Sequence, residues 1–554
     1  MTTRQSRRVA RPPQSPRSRR RTAVWAAGTV AAAGTLFACY LGQSRTVAVG
    51  SDGASQALQA WAMLHGNPLL RGWWVTDVSF YTTELPQYAL LELVRGPTPD
   101  VMHVAGAMTY TLLVLAAASL ARGRATGRVG VTRALLAAGI MLAPSLGPGT
   151  ETLLLSPDHT GTAVPVLLTW LLIDRASPGG NGSSRWRVPV LVWFALAWTA
   201  VADTLTLFVA VIPLALVCAL RAARGTVRNT GPPREQRQEL ALFAAAVLVI
   251  PAWLAAMGLV RALGGWQVNG LTTALAGAGQ LAGNARLTGQ GLLELFAANV
   301  FSAWSSGSAL AVAFAVVHLV GVALAAAGVL AAARGHRDLI DAVLLTGLVI
   351  NLAAYLAGVQ AVNITSTREI APVLPFAAAL AGRQLGARPL RRGLTSPRGP
   401  RTWPVRYGLC AVLACYAAML GYDAAQPPSP PQYADLAAWL PAHHLTEGLS
   451  GYHQANIVTL ESGGAVIVRA VTRAAHGMLG AYTWNAAAAW FDPADRSANF
   501  LVLTAPGAPP TAGGSGLTTA EATATFGRPA RTYRYRDYVI LVWPGGENLL
   551  ARLR

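Results

Sequence analysis

Long apolar runs, separated by short connections rich in Arg or in Gly and Pro, dominate the first 421 residues. A helix crossing about 30 Å of hydrocarbon needs roughly 20 apolar residues, and its backbone polar groups are satisfied within the helix itself. By that measure eleven segments read as membrane spans: 22–41, 101–121, 131–147, 160–173, 188–203, 204–222, 240–260, 309–333, 339–358, 370–387 and 405–421. The stretch 188–222 has no turn-rich break, but Arg-rich flanks put both of its ends on one side, so it divides into two spans meeting near Asp203. Past residue 421 the pattern changes. Pro427, Pro428, Pro430 and Pro431 make a stiff exit, and Asp435–Leu440 reads as a short helix. Ala465–Val471 and Asn499–Thr504 read as strands, Thr518–Thr525 as a helix closed by Gly527 and Pro529, and Arg534–Trp543 as a strand. A polytopic α-helical membrane protein with a small C-terminal α/β domain over 422–554 is the expected fold class.

Composition agrees with this reading. Of 554 residues, 53% are hydrophobic and only 12% charged, against roughly 25% charged in an ordinary soluble protein. All 44 basic residues are Arg, the formal charge is +20, and Ala, Gly and Pro are abundant, a usage that suits a GC-rich genome. Cys39, Cys218, Cys410 and Cys415 all fall in apolar runs, so no disulfide framework or structural zinc site is implied.

The Arg residues also predict orientation, because positively charged connections stay in the cytoplasm. Residues 1–21 and the connections 122–133, 174–187, 221–239, 334–341 and 383–406 hold 29 Arg; the opposite connections 42–100, 147–159, 261–308 and 359–370 hold six, with nine acids. The N-terminus, a disordered basic tail over 1–21, is therefore expected inside, and the C-terminal domain outside. Attraction to anionic headgroups explains the tail, which lacks interleaved aromatic residues, so no nucleic-acid partner is expected.

The candidate chemistry lies in the outer connections. The first, 42–100, carries Asp52, the stripe Gln56, Ala60 and Leu64 of a short interfacial helix, then Trp61, Trp73 and Trp74, which suit a membrane boundary, and Asp77 and Glu84. Asp52 reads either as the helix cap or as a functional carboxylate. In the second, Asp158 and His159 adjoin; an acid beside an imidazole can orient a hydroxyl, transfer a proton or bind a metal, and Asp158 can equally cap the helix that follows. Asp203 is an acid near membrane depth and a functional candidate by default. In the last connection Arg368 precedes Glu369 and a span with Pro372 and Pro375; a guanidinium at a helix start favours a phosphate, and pairing with Glu369 is the plainer alternative. In the terminal region Tyr452, Gln454, Asn456 and Trp484 read either as glycan contacts or as ordinary core.

A long first outer loop with an Asp soon after span one, acids in the second, Arg368 followed by spaced prolines, and a terminal domain together resemble the C-type glycosyltransferases, in an actinobacterial-like form. Those membrane enzymes are similar in architecture to oligosaccharyltransferases, protein mannosyltransferases and the aminoarabinose transferase. The resemblance implies transfer of a sugar from a polyprenyl-phosphate carrier to a cell-envelope acceptor outside the cytoplasm. It implies Asp52 as the catalytic carboxylate, with Asp77 and Glu84 as alternatives, Arg368 as the donor-phosphate ligand, and Asp158 and His159 as acceptor or metal contacts. No clean Asp-x-Asp occurs in the second loop, so the need for a divalent metal ion is left open. A non-catalytic scaffold and a lipid or envelope-component transporter are the alternatives, the second lacking paired broken helices.

Overall fold

The computed structural model describes residues 16–156, 159–176, 186–228, 233–268, 274–335, 337–386, 403–508, 515–544 and 546–553. Each of the eleven apolar segments carries a helix, and among the described residues six helices are long and apolar enough to cross a membrane, as a multi-pass membrane protein requires. Two segments depart from expectation. The third helix, Gly127–Ile140, ends before residue 147, since Pro144 and Gly147 (φ 73°) turn the chain into a short helix, Pro148–Leu154. The sixth opens with a π-helical stretch, Leu207–Val211, ahead of the helix Ile212–Arg228. Pro213 has no N–H to give the Val209 carbonyl four residues back, and a wider turn accommodates the gap. Gly347 lies against that carbonyl so closely that a Cβ there would be 2.7 Å from it.

Helix Val373–Leu385 runs through the middle of the bundle and is buried along nearly its whole length. Small residues admit it: a Cβ on Gly328 would lie 2.3 Å from the Ala381 Cα, and one on Gly382 would lie 2.5 Å from the Arg133 carbonyl oxygen. At the end of the bundle that bears the Arg-rich connections, its Arg383 is 6% exposed and gathers Asp174 at 3.2 Å, Asp341 at 2.6 Å and Asp338.

The C-terminal region forms a six-stranded sheet. Its strands are β3 (Glu447–Ser450), β4 (Ile467–Arg473), β5 (Leu479–Ala481), β7 (Phe500–Thr504), β8 (Arg531–Tyr535) and β9 (Tyr538–Val542), in the order β5-β4-β3-β7-β9-β8. The pairs β3–β4 and β3–β7 are parallel and the rest antiparallel. Helix Tyr452–Glu461 makes the crossover from β3 to β4. Where one strand was expected over 534–543, a hairpin turns at Arg536 (φ 50°), so that Tyr533 and Tyr535 fall on β8 and the apolar run on β9. The region 506–516 is expected as a Gly/Pro loop, and its residues 509–514 lie outside the described residues.

The sheet domain packs on the first loop. β1 (Trp73–Val75) pairs parallel with β2 (Gln267–Val268) and antiparallel with β6 (Ala486–Ala487), and loop and sheet residues share one apolar cluster. This corrects two expectations. Helix Ser51–Leu64 buries Gln56 and Ala60 against protein instead of lying in an interface, and Trp73 is buried edge-to-face on Trp490, at 4.9 Å between ring centroids. Three tryptophans marked an amphipathic loop, but the apolar surface that covers Trp73 comes from 400 residues downstream and has no signature near it.

Candidate functional site

Arg368 sits on a 3₁₀ turn, Ile364–Ile370, whose start is fixed by Asn363: its side-chain oxygen accepts from Ser366 N–H at 3.2 Å. Pro372 and Pro375 follow at the entrance to helix Val373–Leu385, in the first turn, where a missing N–H costs nothing. Asn351 donates to the Glu369 carbonyl at 3.0 Å and ties the turn to helix Leu339–Ala357.

Facing this turn is Asp52, in the first turn of helix Ser51–Leu64. The N-cap there is Gly50, in extended conformation, and no side chain caps the helix, so capping does not occupy the Asp52 carboxylate. Asp52 Oδ1 instead accepts a hydrogen bond from Tyr452 Oη, which in turn accepts from Asn485 Nδ2 at 3.1 Å. Its Oδ2 lies 3.6 Å from Arg368 Nη1, with the two side chains 41% and 48% exposed.

Beyond Arg368 the charges continue to alternate. Arg368 Nε is 3.9 Å from Glu369 Oε1, Glu369 Oε2 is 3.2 Å from His159 Nε2, and His159 Nδ1 is 2.7 Å from Asp203 Oδ2. Asp203, at the end of helix Arg187–Ala202, also takes the Thr162 hydroxyl and, at 2.8 Å, the Leu205 N–H. Burial opposes charge on His159, but carboxylates on both ring nitrogens outweigh it and raise its pKa well above the ordinary imidazole value. Burial likewise opposes ionisation of Glu369, yet His159 and then Arg368 hold its pKa below the usual carboxylate range. A carboxylate on each ring nitrogen favours the imidazolium form of His159, the form that donates from both nitrogens.

Asp77 stands in the same field. Burial raises its pKa, and Glu369 and Asp203 add to the effect while His159 and Arg368 oppose it. Glu84 lies deeper, 2% exposed, its carboxylate so close to Gly161 that a Cβ there would overlap Oε1 at 1.7 Å. Burial pushes its pKa up to about 8, against a lowering hydrogen bond from Thr83.

The structure therefore gathers Asp52, Arg368 and His159 in one chain of contacts, with Asp77 and the buried Glu84 in the electrostatic field of its charges, while Asp158 lies outside the described residues. Among the described residues no three His, Cys, Asp or Glu side chains are grouped to hold a metal ion. Sequence reasoning singled out Asp203 and His159 separately and did not join them; it treated Glu369 only as a partner of Arg368, and it missed the Tyr452–Asp52 bond. Gln454 and Asn456 are core residues, 0% and 2% exposed, with Gln454 bonded to Ser450 at 2.7 Å and Thr504 at 3.0 Å.

No protein-family model matches this chain, and no curated protein does. Among solved structures, the chain is similar to ArnT from Cupriavidus metallidurans bound to undecaprenyl phosphate, at a TM-score of 0.52 and 14% identity, covering 93% of this chain and 97% of that one. A more distant match is arabinofuranosyltransferase AftD from Mycobacteria, at a TM-score of 0.38 and 18% identity, covering 76% of this chain and 30% of that one. The fold is similar to that of ArnT over 93% of this chain, in line with the architecture that the resemblance to the C-type glycosyltransferases implied.

Proposed function

We propose that this protein is a membrane glycosyltransferase that takes a sugar from a polyprenyl-phosphate carrier and transfers it to a cell-envelope acceptor on the extracytoplasmic side. Eleven spans, a cytoplasmic N-terminus and an extracytoplasmic sheet domain go with that reading. The observation that carries it is the Asp52–Arg368 pair, half exposed at one end of the bundle, in a fold shared with a protein whose solved structure binds undecaprenyl phosphate.

In the reaction, an acceptor hydroxyl oxygen bonds to the anomeric carbon as the bond from that carbon to the phosphate oxygen breaks. The hydroxyl proton passes to Asp52, and the phosphate leaves with the electron pair, its developing charge met by the Arg368 guanidinium. Glu369 anchors the guanidinium from behind, and His159, pinned by Asp203, anchors Glu369. Tyr452 and Asn485 orient the Asp52 carboxylate from the sheet domain. Asp77, which interacts electrostatically with His159, Glu369, Asp203 and Arg368, is the reserve carboxylate.

Native mass spectrometry of the detergent-purified full chain with added polyprenyl phosphate tests the reading. One carrier is expected to bind and to be lost in Arg368→Ala. Failure of wild-type protein to bind the carrier in excess refutes it.

A further inference from the structure

A cavity of about 400 Å³ lies beside the start of helix Pro148–Leu154, between the start of helix Ala309–Arg334 and the end of helix Trp403–Ala424. Two carboxylates line it. Glu294 is 3% exposed and already satisfied, accepting from Ser145 Oγ at 2.8 Å and Asn299 Nδ2 at 2.8 Å. Asp423 is 4% exposed, and its Oδ1 has no hydrogen-bond partner among the described residues. A buried carboxylate oxygen without a donor is costly, so the site is built for a donor that enters it. No Arg is among the described lining residues, and the basic side chain there is His318, 4% exposed, with its Nδ1 2.8 Å from the Phe314 carbonyl oxygen.

The lining has a second, opposite character. Ser302, Ser306 and Ser308 border it, and Ser308 caps the 26-residue helix Ala309–Arg334, accepting from Ala311 N–H at 3.2 Å. That helix start presents N–H groups and the positive end of a dipole, which favour a phosphodiester. Leu310 and Phe314 complete an apolar wall, with Phe314 edge-to-face on Tyr422 at 5.7 Å. Both flanking helices expose most of their apolar surface, where acyl chains would lie.

We infer that this cavity binds the headgroup of a phospholipid ending in a primary ammonium, with the ammonium on Asp423 and the phosphodiester at the Ser308 helix start. The three N–H donors of an ammonium suit the unpartnered Asp423 oxygen, and a zwitterion matches acids at one part of the lining and a helix N-terminus at another. Neither Arg368 nor Asp52 is among its described lining residues.

The test is native mass spectrometry of the full chain titrated separately with phosphatidylethanolamine, phosphatidylglycerol and phosphatidylcholine, reading the tightest single lipid. Phosphatidylethanolamine is expected to bind at least about tenfold more tightly than the other two, and Asp423→Asn to weaken it roughly thirtyfold. Ala311→Phe, which fills the cavity without touching Asp423, is expected to abolish the preference, and Arg368→Ala to leave it intact. Equal binding of the three lipids, or wild-type affinity in either cavity variant, overturns the inference. So does loss of phosphatidylethanolamine in Arg368→Ala, which would place the lipid at the carrier site.

Discussion

Arg368 and Arg383 lie on either side of one short stretch of chain, and replacing each separates binding from stability. The Arg368–Asp52 contact is 3.6 Å long with both side chains almost half exposed, so its Coulomb energy in a largely aqueous setting is about 1 kcal/mol, and such pairs contribute about 0–1 kcal/mol to stability. Arg368→Ala should therefore barely move the unfolding midpoint of the full chain in detergent. Its loss from a phosphate is another matter: a hydrogen bond to a charged group contributes about 1.5–3 kcal/mol, equivalent to roughly 10- to 150-fold in Kd. Arg383 is 6% exposed and holds Asp174 and Asp341 at 3.2 and 2.6 Å, with Asp338 completing the set. Arg383→Met strands buried carboxylates, at a cost of about 3–5 kcal/mol, and should lower the midpoint strongly. The assay is thermal unfolding of both variants alongside polyprenyl-phosphate titration of Arg368→Ala. An Arg368→Ala variant as destabilised as Arg383→Met, or one that binds the carrier like wild type, refutes the reasoning.

Asp52→Asn keeps the acceptor for Tyr452 but cannot take a proton; sugar transfer should fall by roughly 100-fold or more while carrier binding is retained, and full transfer activity in vitro removes Asp52 from the catalytic role. Because His159 has a raised pKa in the folded chain, its clamp on Glu369 is fully present below the ordinary value of 6.5 and is lost only as pH rises through the higher folded value. Carrier binding should accordingly show no midpoint near 6.5, whereas a half-loss there would mean that His159 titrates at its ordinary value. Gly161→Ala drives a methyl into the Glu84 carboxylate and should cost about 1–3 kcal/mol, with Glu84→Ala partly restoring the midpoint; a double variant no better than Gly161→Ala would dismiss that contact as the cause.

Much of the architecture was legible along the chain because its signals are local. An apolar run of sufficient length has few alternatives to a helix in a membrane protein, and each of the eleven expected segments carries a helix over at least part of its length. Asp52, His159, Asp203 and Arg368 were individually conspicuous as charges among apolar or turn residues. Local patterns were less reliable where backbone geometry intervened: the hairpin at Arg536 and the early end of helix Gly127–Ile140 each depend on one turn that periodicity does not register.

Which charges meet is set by the packing of the helices. His159 and Asp203 are 44 residues apart, Arg368 and Asp52 more than 300, and Tyr452 and Asp52 400, and no periodicity connects positions at such separations. Whether Asp52 caps a helix or faces a guanidinium, and whether Asp203 is an isolated acid or half of an ion pair, depends on how the helices pack. Packing in turn rests on close approaches such as Gly328 on Ala381, where the absence of a side chain sets the distance between two helices. Local order along the chain sets the membrane-spanning class and makes certain residues chemically conspicuous. The three-dimensional arrangement joined them into one alternating line of charge, because electrostatic pairing depends on distance in space and is indifferent to distance along the chain.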